Sequence, residues 1–143
     1  MSRSLRAFTL VEILIVVVIL GILAALVVPS FLDATDEAST NSAVHEVQKL
    51  RRAIEVYKVR NANVLPDVAE GEGTWGGLVL DAGEYLKSAP LNPYVGSGAA
   101  KVIVFGDGPD DAYQTDYGWI YDPDTGDVWA GGFDAEDEPF PKD

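Results

Sequence analysis

No cysteine occurs in the 143 residues, which excludes disulfides and thiolate metal sites and leaves the compartment unread by redox chemistry. Histidine is nearly absent: His45 stands alone among Ala43, Val44, Glu46 and Val47, where a partly exposed structural role outweighs a catalytic one. No GxxxxGK phosphate loop is present, and the GxGxxG string Gly71 to Gly76 is by itself a weak signal. Basic residues are scarce, 10 against 23 acidic ones for a net charge of -13. Residues 1–65 carry +1 and residues 66–143 carry -14. A part this acidic repels nucleic acid and anionic lipid, and suits cations or basic surfaces.

What is present is a long apolar run. Residues 8–28 (FTLVEILIVVVILGILAALVV) contain one charge, Glu12. As a helix, 21 residues span roughly 32 Å at ~1.5 Å each, enough for a hydrocarbon core about 30 Å thick. A cleaved secretory signal is the rival reading, but such signals have apolar cores of roughly 7 to 15 residues before a small-residue cleavage site. Here Ile13 to Val28 is unbroken, and Ala24-Ala25 is followed by Leu26, Val27, Val28 and Pro29. Arg3 and Arg6 place the short N-terminal segment on the cytoplasmic side and the remainder outside. A carboxylate inside hydrocarbon is expensive unless partnered, so Glu12 is a functional candidate that needs a partner.

Beyond Pro29 the pattern is that of an amphipathic helix. Ala43, Val47, Leu50, Ile54 and Tyr57 recur at steps of four and three, with Glu46, Lys49, Arg51, Arg52, Glu55 and Lys58 between them. Asn61-Ala62-Asn63 and Pro66 close the helix. Residues 66–101 are rich in Gly and Pro and read as loop, with a short helix around Trp75 to Lys87. Lys101 to Phe105, Tyr117 to Tyr121 and Asp127 to Ala130 read as strands, the last two flanking the turn Asp122-Pro-Asp-Thr-Gly126. These three runs predict a small antiparallel sheet. Trp119, Tyr121 and Trp129 read as sheet core rather than ligand platform, and Asp122, Asp124 and Asp127 as turn residues rather than an acid–base pair. The segment 131–143 is acidic, contains Pro, and reads as a loose tail. There is no internal repeat.

Ser4-Leu5-Arg6-Ala7 followed by Phe8-Thr9-Leu10-Val11-Glu12, with Gly21 and Pro29 downstream, resembles the N-terminus of type IV pilins and of the pseudopilins of type II secretion systems. The resemblance implies a pilin-like α+β fold, a long N-terminal helix packed on a small antiparallel sheet. It divides the chain into a leader (1–7), a membrane and filament-core helix (8–29), its amphipathic continuation (30–65), a globular head (66–130) and an acidic tail (131–143). It also implies cleavage between Ala7 and Phe8 by a membrane-embedded prepilin peptidase, with N-methylation of Phe8. Family leaders usually end in Gly, where this chain has Ala7.

Cleavage would give Phe8 a positive amine, and two opposite charges can offset each other's desolvation in an apolar bundle. Residues 8 and 12 lie one turn apart on a helix, so one chain could satisfy its own pair. The resemblance implies instead that Glu12 meets the Phe8 amine of a neighbouring subunit and fixes the register of a homo-oligomeric helical filament. Gly21 permits close helix approach in lipid. Pro29, with no N–H, bends or weakens the helix as it leaves the membrane.

Leu65-Pro66, Trp75, Tyr85-Leu86-Lys87, Pro90, Asn92-Pro93-Tyr94 and Gly118-Trp119 to Trp129 resemble the layout of the major, G-type pseudopilins. Many of these carry a calcium loop. Asp107, Asp110, Asp111 and Asp116 offer oxygen donors for Ca²⁺, although their spacing does not reproduce that loop and a solvated acidic segment explains them as well. Calcium is thus the one cofactor in question. The family implies as partners minor pseudopilins or pilins, the prepilin peptidase, an assembly platform protein and its ATPase, and the membrane, with no nucleic acid bound by the head. It places the chain as a single-pass inner-membrane protein with a cytoplasmic N-terminus and a periplasmic or extracellular head. A type IV pilus subunit for adhesion, motility or DNA uptake is the alternative to a secretion pseudopilin. A plain membrane-anchored binding module or a tethered enzyme would each need features not seen here: a dispensable Glu12, or a catalytic cluster in residues 66–143.

Overall fold

The computed structural model describes residues 8–80 and 84–142. Helix α1 spans Leu10–Arg60, with Lys58 and Arg60 in its last turn opposing the negative end of the helix dipole. Two compact units divide within it, residues 1–36 and 37–143.

In the first unit the large apolar side chains described from Leu10 to Leu32, Leu14, Val18, Leu23 and Val27 among them, are exposed. This stretch is long and apolar enough to cross a membrane, and none of it is buried within the chain. α1 includes Pro29. The few hydroxyls nearby turn inward on the backbone, Ser30 Oγ donating to the Leu26 carbonyl at 3.2 Å and Thr35 Oγ1 to Phe31 and Leu32 at 2.9 and 2.8 Å. This back-bonding lets polar side chains sit on an exposed helix with their hydrogen bonds made.

The second unit holds the core. Ala43, Val47, Leu50 and Ile54 are buried in a single stripe, as their spacing predicts, against Trp75, Ile103, Trp119, Tyr121, Val128 and Phe133. Tyr57 ends the stripe half-buried, its ring 5.2 Å from that of Tyr85. The sheet has four strands in the order β1 (Gly71–Glu72), β2 (Val102–Phe105), β3 (Trp119–Tyr121) and β4 (Val128–Ala130).

The expected antiparallel sheet is mixed. β1–β2 and β3–β4 are antiparallel, but β2 and β3 run parallel, Ile103 opposite Trp119 and Phe105 opposite Tyr121. Residues 106–118, about a dozen, supply the crossover that a parallel pair requires and a tight turn cannot give. β1 falls within a segment read as loop. The short helix α2 is described over Gly77–Leu80, and Leu86 N–H donates to the Leu78 carbonyl at 3.0 Å; residues 81–83 of that expected helix lie outside the described residues.

Trp119 and Tyr121 face Trp75 in edge-to-face contacts with centroids 6.3 and 6.2 Å apart. Trp129 pairs with Ile120 on the other face of the sheet and is only half-buried, so it departs from the core expected of all three aromatics. In the turn between β3 and β4 the Asp122 carboxylate accepts from the Asp124 N–H at 2.8 Å and the Thr125 hydroxyl at 2.9 Å. Those bonds, with the first the larger, hold its carboxyl below the ordinary 3.8. Gly126 closes the turn at φ 83°, where a Cβ would also lie 2.4 Å from Leu65 Cδ2.

The segment read as a loose tail is packed. Phe133 is fully buried and bridges Pro139, and Phe140 N–H donates to the Gly132 carbonyl at 2.9 Å. An apolar anchor at each end outweighs the acidity between them.

Candidate assembly site

The N-terminus of α1 is built by four residues. Thr9 precedes the first helical residue, and its hydroxyl accepts from the Glu12 N–H at 3.3 Å. Glu12 Oε2 in return accepts from the Thr9 N–H at 2.8 Å and the Thr9 hydroxyl at 2.9 Å. Thr-x-x-Glu is therefore a reciprocal capping box that satisfies orphan donors of the first turn. The pattern is legible in Thr9-Leu10-Val11-Glu12. Phe8, 78 % exposed, is here joined to Ala7, so its nitrogen is an amide; Ala7 lies outside the described residues. The carboxylate is thus held beside residue 8 through one of its oxygens, and no bond to Oε1 occurs among the described residues.

Gly21 sits mid-helix with open space: a Cβ there would meet nothing within 4 Å. Nothing in its own chain requires glycine at that position.

In the head, the four aspartates considered for calcium are not gathered. Asp110 is taken up by protein donors, Oδ2 accepting from the Gly132 N–H at 2.7 Å and Gln114 Nε2 at 3.0 Å, and Oδ1 from the Tyr117 hydroxyl at 2.5 Å. Burial, that bond and the charges of Asp110 and Asp116 push the Tyr117 hydroxyl up to about 12. Asp107, Asp111 and Asp116 are exposed, and no group of three His, Cys, Asp or Glu able to hold a metal occurs among the described residues. The four side chains do not come together into one such group among the described residues. His45 is exposed on α1, with no acidic or nucleophilic partner beside it among the described residues.

Two residues matter more to the head than their types announced. Asn92, buried at 0 %, donates to the carbonyls of Gly118 at 3.0 Å and Gly131 at 2.9 Å and accepts from Tyr94 N–H at 3.0 Å. Arg51, read as one of the solvated charges between the apolar positions, instead donates to the Val128 carbonyl at 3.2 Å and to both oxygens of Asp137.

Known proteins align with both parts of this architecture. The family model for the prokaryotic N-terminal methylation motif matches residues 3–28. The chain is 34% identical to type II secretion system core protein G of Vibrio cholerae over 141 residues, covering 94% of this chain and 85% of that one. It is 33% identical over 131 residues to the protein of the same name from Dickeya chrysanthemi, covering 81% and 85%. The Pseudomonas aeruginosa protein of that name is 35% identical over 100 residues, covering 64% and 70%. No solved structure matches. A methylation motif over the apolar helix and a relative aligned through the head together place this chain in the family of type II secretion system core protein G, the major pseudopilins.

Proposed function

We propose that this pseudopilin is a non-catalytic filament subunit whose assembly register is set by Glu12. The observation that carries the reading is the capping box: Glu12 is fixed by Thr9 at the mouth of an otherwise uncharged, exposed apolar helix. Cleavage between Ala7 and Phe8, followed by N-methylation, creates a cationic amine one residue from that cap. An incoming subunit that brings its own Phe8 amine to Glu12 relieves two uncompensated charges at once, whereas a misaligned one leaves both unpaired at about 3 to 5 kcal/mol.

Before assembly the helix from Phe8 to Val28 anchors the chain as a single-pass membrane protein with the head outside the inner membrane. After assembly the same surface becomes the filament interior, where the vacant space at Gly21 admits a neighbouring helix and Pro29 marks the exit from the apolar zone. The prepilin peptidase processes the chain, and a platform protein with its ATPase adds subunits beneath minor pseudopilins. The relatives' shared name supports a role in type II secretion over a surface pilus.

The test is Glu12→Leu in the full chain. Membrane insertion and peptidase cleavage are expected to persist, mass spectrometry finding N-methyl-Phe at residue 8, while filaments disappear. Filaments of normal yield and length from this variant would sink the register role, and an uncut N-terminus in the wild-type chain would sink the processing step.

A further inference from the structure

The head carries two unlike surfaces. On the outer face of α1, a groove is lined by Lys49, Arg52, Ala53, Val56, Glu84 and Tyr85. Its charges are accounted for except one. Lys49 is bound to Glu46 at 2.7 Å and Glu84 to Arg60, whereas Arg52 is exposed and makes a single 3.3 Å bond to its own helix, at the Gln48 carbonyl. No carboxylate pairs with it among the described residues. Val56 at 46 % and Val59 at 83 % exposure continue the groove as an apolar stripe.

The opposite character belongs to the crossover between β2 and β3. Asp107 and Asp111 are exposed there and have no basic partner among the described residues, and Ala112 beside them is exposed and apolar. The loop is not loose: Asp110 braces it internally through Gln114 and Tyr117 and ties it to Gly132, so the two free carboxylates are presented from a fixed base. No ion pair joins this loop to Arg52 within one chain. Each surface lacks what the other supplies.

We propose that the Arg52 groove receives the Asp107–Asp111 loop of a second copy of this chain. Two different patches on one molecule make a heterologous, head-to-tail contact, the kind that propagates into a helical polymer rather than closing a dimer. The inference rests on the filament reading above and adds where neighbouring heads touch. Charge complementarity of this sort sets register and encounter rate more than raw affinity. It therefore complements the pairing at Glu12, which acts within the apolar zone.

The experiment uses full-length chain assembled into filaments in its own membrane. Arg52→Glu and Asp111→Arg are each expected to lower filament yield roughly fivefold or more, as a repeated exposed pair turned repulsive should. The doubly swapped chain is expected to recover. As the natural chain has no cysteine, Arg52→Cys and Asp111→Cys made on separate copies can be mixed and treated with a short bismaleimide. A dimer band from the mixture, absent from either variant alone, is the expected result. Filaments that form normally with both single reversals, or that give no mixed cross-link, overturn the docking while leaving the filament reading intact. Failure of the wild-type chain to form filaments overturns both.

Discussion

The Arg51 guanidinium grips the Asp137 carboxylate with two bonds of 2.5 and 2.8 Å, across 86 positions of sequence. With its third donor on the Val128 carbonyl, Arg51 joins the helix, the last strand and the segment beyond it. Asp137 is 15% exposed in its side chain and adopts φ 62°, a geometry that the bond helps to hold. Arg51→Met is expected to destabilise the head by about 1 to 3 kcal/mol. A double-mutant cycle with Asp137→Asn, read by thermal melting of the detergent-solubilised chain, should show coupling of about 1 kcal/mol or more; additive effects would reduce the pair to a surface ornament.

Among the described residues of the head Asn92 is the fully buried polar side chain, and its amide bridges the carbonyls of Gly118 and Gly131. Asn92→Leu fills the volume but strands the Gly131 carbonyl and Tyr94 N–H, at about 1 to 3 kcal/mol per unsatisfied group, while the Gly118 carbonyl keeps the Gly131 N–H at 2.8 Å. Asn92→Asp keeps the shape and sets a carboxylate against two carbonyl oxygens. Both variants are expected to melt well below wild type, the aspartate recovering partly as pH falls; equal melting temperatures at pH 7 would refute the bridging role.

Alkali should unfold the head through its tyrosines. The Tyr121 hydroxyl is buried with no partner among the described residues, and burial with the charge of Asp122 pushes it up to about 12, as happens to Tyr117. Both hydroxyls hold their protons more tightly folded than unfolded. The stability this represents is complete below pH 10.0 and is lost as pH rises from there toward about 12. Tyr121→Phe removes an unpaired polar atom, so it is expected to leave melting at pH 7 unchanged or higher and to flatten the alkaline fall. A steeper fall would count against it.

Calcium should not matter to the head. The carboxylate best placed to organise the crossover loop, Asp110, already takes three protein donors. Melting curves with chelator and with millimolar calcium are expected to superimpose, whereas Asp110→Ala should lower the midpoint by roughly 4 to 8 °C per kcal/mol lost. A chelator-induced drop would restore a calcium role.

Periodicity carried the helix and its buried stripe, because burial on one face leaves a 3.6-residue signature from Ala43 to Ile54 that few other forces imitate. The strands were legible from β-branched and aromatic runs, but their relative direction was not. Hydrophobic alternation is blind to whether Ile103 meets Trp119 in parallel or antiparallel. The packing of residues 131–142 was hidden for a different reason: composition registers Asp134, Glu136, Asp137 and Glu138 as solvated, while Phe133 and the Arg51 partner decide the outcome. At the N-terminus the capping box was written in the letters and needed only the geometry of a first helical turn. Arg52 was legible only as a charge, since its lack of a partner is a fact about three dimensions.

The parallel pairing of β2 with β3 has a consequence in time. Among the described strand pairs only the β3–β4 hairpin is local, Ile120 facing Trp129; the other unions wait for distant segments, and such closures are slow. Synthesis delivers the apolar helix first and Phe133 more than a hundred positions later. The anchor can be settled in lipid while Trp75, Trp119 and Leu50 are still uncovered. For that interval the chain is a tethered intermediate with exposed apolar surface, and closure of the head competes with aggregation.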